Sequence, residues 1–74
     1  MNKIRRKKLQ EVFAMVDQAK SILETVKNEE QEAYNNLPEQ FQISERGEEL
    51  EGFIEILEEA FNYLDDANSV IEQI

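Results

Sequence analysis

Apolar residues recur through the first half of the chain at Leu9, Val12, Val16, Ala19, Leu23, Val26, Ala33 and Leu37, with Glu30 in the one missing place. The spacing alternates between three and four, the a/d pattern of a helix that packs against another along a left-handed seam. The second half repeats it at Leu50, Phe53, Leu57, Ala60, Leu64, Ala67, Ile71 and Ile74. This predicts an all-α chain with one helix at 3–35 and another at 45–73. A connector at 36–44 joins them within a single domain of residues 1–74.

The two runs mirror each other. The numbers of Leu9 and Ile74 add to 83, as do those of Val12 and Ile71, Val16 and Ala67, Ala19 and Leu64, and Leu23 and Ala60. Folding the chain back near Phe41 brings these pairs level, giving an antiparallel, coiled-coil-like helical hairpin. Ala19 against Leu64 and Leu23 against Ala60 set small residues opposite large ones, as interdigitating layers require.

The connector carries the punctuation such a fold needs. Pro38 biases Leu37 away from helical backbone, and Asn35 and Asn36 tolerate irregular conformations. Pro38 to Phe41 suits one short helical turn with Pro in its first position. Ser44 reads as the N-cap of the second helix, with Glu45 favourable in its first turn. Gly47 is a poor helix former, which points to a close backbone approach between connector and helix. Phe41 and Ile43 are expected to fold down and close the end of the core.

More apolar surface is present than two helices need. The second helix adds Ile54 and Phe61 on one flank of its seam, and Ile56, Tyr63 and Val70 on the other. The first adds Phe13 and Tyr34 on one side, Met15 and Ile22 on the other. Stripes this wide suit helices with two neighbours each. A 74-residue chain also has a marginal core, and with no Cys it has no disulfide to reinforce it. A homodimer of hairpins, forming a four-helix bundle through these flanks, is the expectation. The rival is a groove for another protein's helix.

Charge narrows the partners. The net charge is −9, yet residues 1–8 hold five bases (Lys3, Arg5, Arg6, Lys7 and Lys8) and no acid. The rest holds three bases and seventeen acids, a balance of −14. Direct nucleic-acid binding by this body would meet repulsion. The basic cluster is expected to pair with Asp65, Asp66 and Glu72 at the same end of the hairpin. There is no long apolar run for a membrane, and the absence of Cys suggests a cytoplasmic setting.

Catalytic equipment is sparse. With no His, Ser–His nucleophilic chemistry is excluded. There is no glycine-rich phosphate loop. The spacings Glu29-x-x-Glu32 and Glu55-x-x-Glu58 match part of the magnesium-binding pattern of all-α nucleotide pyrophosphohydrolases, but their ExxD partner is missing. Such pairs are common on any acidic helix, so the reading is no metal, no cofactor and no enzyme. Glu30 is expected to reach water beside Lys27 rather than sit buried without a partner.

The stretch Asn36-Leu37-Pro38-Glu39, followed by Ser44-Glu45-Arg46-Gly47-Glu48 and an acidic amphipathic helix, resembles a group of short proteins of bacteriophages and prophages of Gram-positive bacteria. The likeness spans nearly the whole chain, though its specific part is the connector, about a dozen residues. It implies a phage or prophage setting inside a host bacterium, where small acidic proteins often block a host protein. Pro38, Ser44, Glu45, Arg46 and Gly47 carry the motif, and Arg46 is expected to lock the turn through Glu45, Glu49 or a loop carbonyl. The expected function is therefore a non-enzymatic acidic interaction protein. One form of it inhibits a host nucleic-acid-binding protein by presenting a negative surface. The alternative is a structural or assembly module that works through its apolar flanks.

Overall fold

The computed structural model describes residues 1–74 as three helices and no strand: α1 (Lys3–Asn35), α2 (Glu39–Gln42) and α3 (Glu45–Ile71). α1 starts at Asn2, whose side-chain oxygen accepts from the Arg5 N–H at 2.9 Å. It stops just short of Leu37-Pro38, where the proline disfavours further helix. α2 is the short turn expected of Pro38. The Phe41 and Gln42 amides both donate to the Pro38 carbonyl, at 2.8 and 3.1 Å. Pro38 stands just before this turn rather than as its first residue. α3 ends two residues before the predicted boundary, where Gln73 and Ile74 donate to Val70 and Ile71 in a tightened last turn.

α1 and α3 pack side by side and run in opposite senses: Asp17 meets Asn68, and Lys20 meets Asp65. The molecule measures 58 × 15 × 11 Å. Its radius of gyration is 17.1 Å, against about 11 Å for a compact chain of this length. A rod of two helices has little interior. Gly47, Leu50 and Asn68 alone are buried, and Leu50, 3% exposed, is the one apolar side chain among them.

The helix pair meets along a seam rotated from the predicted one. In α1 the half-buried positions are Leu9, Phe13, Val16, Lys20, Leu23, Lys27, Glu30 and Tyr34, continuing to Leu37. In α3 the seam holds the buried Gly47, Leu50 and Asn68 and the half-buried Ile54, Leu57, Phe61, Leu64 and Ile71. These are again heptad runs, and the hydrogen-bonded pairs that cross between the two helices, Asp17 with Asn68 and Lys20 with Asp65, add to 85, not 83. Half of the expected seam is kept. The other half has turned outward: Val12, Val26, Ala33, Phe53, Ala67 and Ile74 are exposed. Ala19 and Ala60 remain half-buried at the edge.

The reason lies in what the rotated seam satisfies. It brings the rings of Phe13, Tyr34 and Phe61 and the Ile54 side chain to the packed side. It also lets Lys20 reach across to α3. A seam on the predicted line would have left these larger side chains half outside and put alanines in their place.

The connector corrects three further expectations. Ser44 has the extended backbone of an N-cap, but its hydroxyl donates to the Phe41 carbonyl instead of accepting from an α3 amide. Phe41 and Ile43 do not close the core. They are 49% and 81% exposed, because the tight α2 turn carries them past the end of the helix pair. Gly47 does mark a close approach. A Cβ there would lie 2.7 Å from Cα of Gln42, with the Gln42 carbonyl closer still.

Candidate functional site

The residues that turned outward form a pattern of their own. On α1, Val12, Met15, Ala19, Ile22, Val26, Glu29 and Ala33 alternate by three and four. On α3, Phe53, Ile56, Ala60, Tyr63, Ala67 and Val70 do the same, with Ile74 just past the helix end. On α1 the outer positions Val12, Ala19 and Val26 fall three residues after the seam residues Leu9, Val16 and Leu23. On α3, Phe53, Ala60 and Ala67 fall three after Leu50, Leu57 and Leu64. The offset has the same sense on both helices. Because the helices run antiparallel, the same sense turns both stripes to the same side of the pair.

One broad apolar face results. Nine of the thirteen exposed large hydrophobic residues lie on it: Val12, Met15, Ile22, Val26, Phe53, Ile56, Tyr63, Val70 and Ile74. The molecule exposes 5877 Å² in all, whereas a compact protein of its mass exposes about 4,700 Å². The difference, about 1,100 Å², is of the order of one partner's share in a stable interface.

The nine flank residues singled out in the sequence are thereby divided. Met15, Ile22, Ile56, Tyr63 and Val70 are exposed and lie on this face. Phe13, Tyr34, Ile54 and Phe61 are half-buried in the seam between α1 and α3. The two sets are the two flanks that the spacing separates. Which flank each helix would turn to the other is a matter of three dimensions.

Polar groups tie the seam. Lys20 Nζ donates to the Asp65 carboxylate at 2.6 Å and stands 5.0 Å from the centroid of the Phe61 ring. The hydrogen bond from Lys20 to Asp65 holds the ammonium's pKa above the ordinary lysine value, against some loss of hydration. Asn68 donates to Asp17 at 3.2 Å, while its own carbonyl oxygen is buried without a partner. The Glu51 carboxylate beside Tyr34 raises that phenol's pKa. On the outer face the Tyr63 hydroxyl donates to Glu59 at 3.0 Å, and that bond raises its pKa likewise. Each seam-bridging pair sits one residue beyond an expected layer: Asp17 and Asn68 follow Val16 and Ala67, and Lys20 and Asp65 follow Ala19 and Leu64.

The connector motif assembles into a corner. Pro38 stands at the N-cap of α2, Ser44 ties back to Phe41, Glu45 lies in the first turn of α3, and Gly47 admits the Gln42 backbone. Arg46 pairs with Glu49 at 3.6 Å, one of the partners expected for it. Both side chains are exposed, so the pair adds about 0–1 kcal/mol. Gln42 was not anticipated. Its side-chain amide donates to the Tyr34 and Leu37 carbonyls, at 3.4 and 3.1 Å, where no basic residue serves the end of α1. An amide in a polar connector carries no periodic signal that would have marked it.

The basic cluster departs from expectation. Lys3, Arg5, Arg6, Lys7 and Lys8 make no ion pair with Asp65, Asp66 or Glu72, and Arg6 donates instead to the Met1 carbonyl at 3.2 Å. Residue 72 lies beyond the last turn of α3, and the two aspartates sit lower, level with Lys20. Glu30 is half-buried on the seam, one turn from Lys27, and the two form no ion pair. No three acidic side chains converge in a way that would hold a metal ion, and the surface depressions are all open. Glu29, Glu32, Glu55 and Glu58 are exposed. No helix is long and apolar enough to cross a membrane.

Comparison with family models, with curated proteins and with solved structures gives no match.

Proposed function

We propose that this chain is an antiparallel helical hairpin acting as a non-enzymatic protein-interaction module, and that its outer face joins two copies into a four-helix bundle. The observation that carries the reading is the face itself: two apolar heptad stripes, brought to one side of a pair that buries a single apolar side chain within itself. Such a face in water is costly and sticky. Covering it with its like gives each helix two neighbours, as the width of its apolar surface calls for.

In the bundle the apolar face is internal, and what remains outside is acidic. The phage-like connector and the −14 balance beyond residue 8 support a role inside a bacterial cell, as a negative surface that occupies a basic host protein in place of nucleic acid. Pro38, Ser44, Glu45, Arg46 and Gly47 would then form the rigid corner of that surface.

Light scattering over a concentration series tests self-association. A dimer mass is expected at micromolar concentration, and a monomer mass throughout overturns the bundle. Capture from bacterial lysate at low and high salt tests the acidic surface. Recovery of a basic, DNA-handling protein at low salt supports it. An empty eluate at both salts counts against it.

The assembly-module reading has one observation of its own. Phe41 and Ile43 stand exposed at the connector tip, away from the outer face. Open, polydisperse assemblies in the same scattering experiment would favour it.

A further inference from the structure

We infer that the second copy docks head to tail, with the N-terminal turns of one hairpin over the connector end of the other. This rests on the reading of the outer face as a self-association surface and settles the orientation that reading leaves open.

A closed dimer on this face has its two-fold axis in the plane of the interface. If the axis runs along the hairpin, the copies lie parallel, with connector beside connector. If it crosses the hairpin, they lie antiparallel, with α1 against α1 and α3 against α3. The second arrangement needs both stripes to be centred at one level, because a single axis must pass through both. They are. The α1 stripe is centred on Ile22 and the α3 stripe on Tyr63. Lys20 touches both Phe61 and Asp65, which bracket Tyr63. The two centres thus agree to within about two residues, roughly 3 Å along the axis.

The parallel arrangement also aligns apolar stripes, so charge decides. Residues 29–51, at the connector end, hold eight acids and one base. Residues 1–8 hold five bases and no acid. The outer heptad of α1, continued toward the N-terminus, falls on Lys8, Arg5 and Met1, while its other end holds Glu29. A parallel dimer sets two strongly acidic ends side by side and two basic ends side by side. With the axis at Ile22, the antiparallel dimer lays residues 3–8 over the connector end of the other copy, where Glu32 and Glu39 flank the contact.

Two loose features then find a cause. Five bases at a helix N-terminus oppose the helix dipole and pair with no acid in their own chain. The connector's acids are likewise short of cations, with Arg46 alone among them. Each end supplies what the other lacks.

The chain has no Cys, so Gln40→Cys gives one spin label per protomer, at an exposed site on the connector. Head-to-tail docking sets the two labels at opposite ends of a body 58 Å long, and an inter-label distance of about 40–60 Å is expected. A distance near 20 Å, about two helix diameters, overturns the orientation while leaving the dimer intact. No dipolar coupling together with a monomer mass overturns the underlying self-association. Arg5→Glu with Lys8→Glu supplies a second reading. Head-to-tail docking predicts a dissociation constant raised about ten-fold or more at low salt, with the gap closing as salt screens it. An unchanged constant counts against the charge argument.

Discussion

The backbone carbonyl of Gln42 occupies the space in which a side chain on Gly47 would begin. The contact is between backbones, so no rotamer change relieves it. Gly52, five residues further along α3, has nothing within 4 Å of the same position. Alanine should therefore act in opposite directions at the two sites. Gly47→Ala forces α2 away from α3 and is expected to cost about 1–3 kcal/mol, the range for overpacking. Gly52→Ala removes backbone freedom from the unfolded chain and is expected to add about 0.5–1 kcal/mol. Urea melts of the pair decide it. A tolerated Gly47→Ala would mean that the corner is looser than described.

Asn68 offers a second test. It is 8% exposed, donates to Asp17 and leaves its carbonyl oxygen without a partner. A buried polar group that is half satisfied costs stability and contributes specificity at a seam position. Asn68→Leu is expected to raise stability by about 1–2 kcal/mol, since Asp17 is exposed and stays hydrated. Asn68→Asp, which sets a second carboxylate against Asp17, is expected to lower the melting temperature at neutral pH. Calorimetry on both variants checks the order Leu, wild type, Asp.

These two residues show how far the sequence was legible. The all-helical character and the break at Pro38 could be read because heptad spacing and proline act locally. The rotation of the seam could not. Each helix carries apolar residues in four heptad places, and any adjacent pair of places makes a plausible seam. The choice rests on contacts between residues far apart in sequence: Lys20 with Asp65, Asp17 with Asn68, and the Gly47 backbone with Gln42. Of the nine flanking apolar residues, five are exposed and four are half-buried in the seam. Their division between an inner seam and an outer face needed the three-dimensional pairing.

Alkaline pH should destabilise the fold. Lys20 has its pKa raised, first by the hydrogen bond to Asp65. A raised folded value means that the contribution is complete below the unfolded lysine value, about 10.4, and fades as pH climbs through the folded one. Tyr34 beside Glu51 and Tyr63 bonded to Glu59 are also raised, so the folded chain holds their protons more tightly too. All three groups act with one sign. The melting temperature is expected to decline above about pH 10 and to decline less in Lys20→Met. A flat profile from pH 9 to 11.5 would contradict the Lys20–Asp65 contact.

The outer face makes the last prediction, because it ties stability to concentration. A pair of helices that buries one apolar side chain of its own has little with which to offset the entropy of ordering 74 residues. If a second copy covers the face, folding and association are coupled, and the melting temperature must rise with protein concentration. A ten-fold increase adds about 1.4 kcal/mol to the apparent stability of a dimer. Ile22→Gln, at the centre of the face, should raise the dissociation constant and lower the melting temperature most at low concentration. Ile54→Gln, on the inner seam, should lower it at every concentration, because it weakens the packing of α1 on α3 within each chain. A melting temperature independent of concentration, with Ile22→Gln as stable as wild type, would leave the outer face without a role in the fold. It would then be open to a different protein.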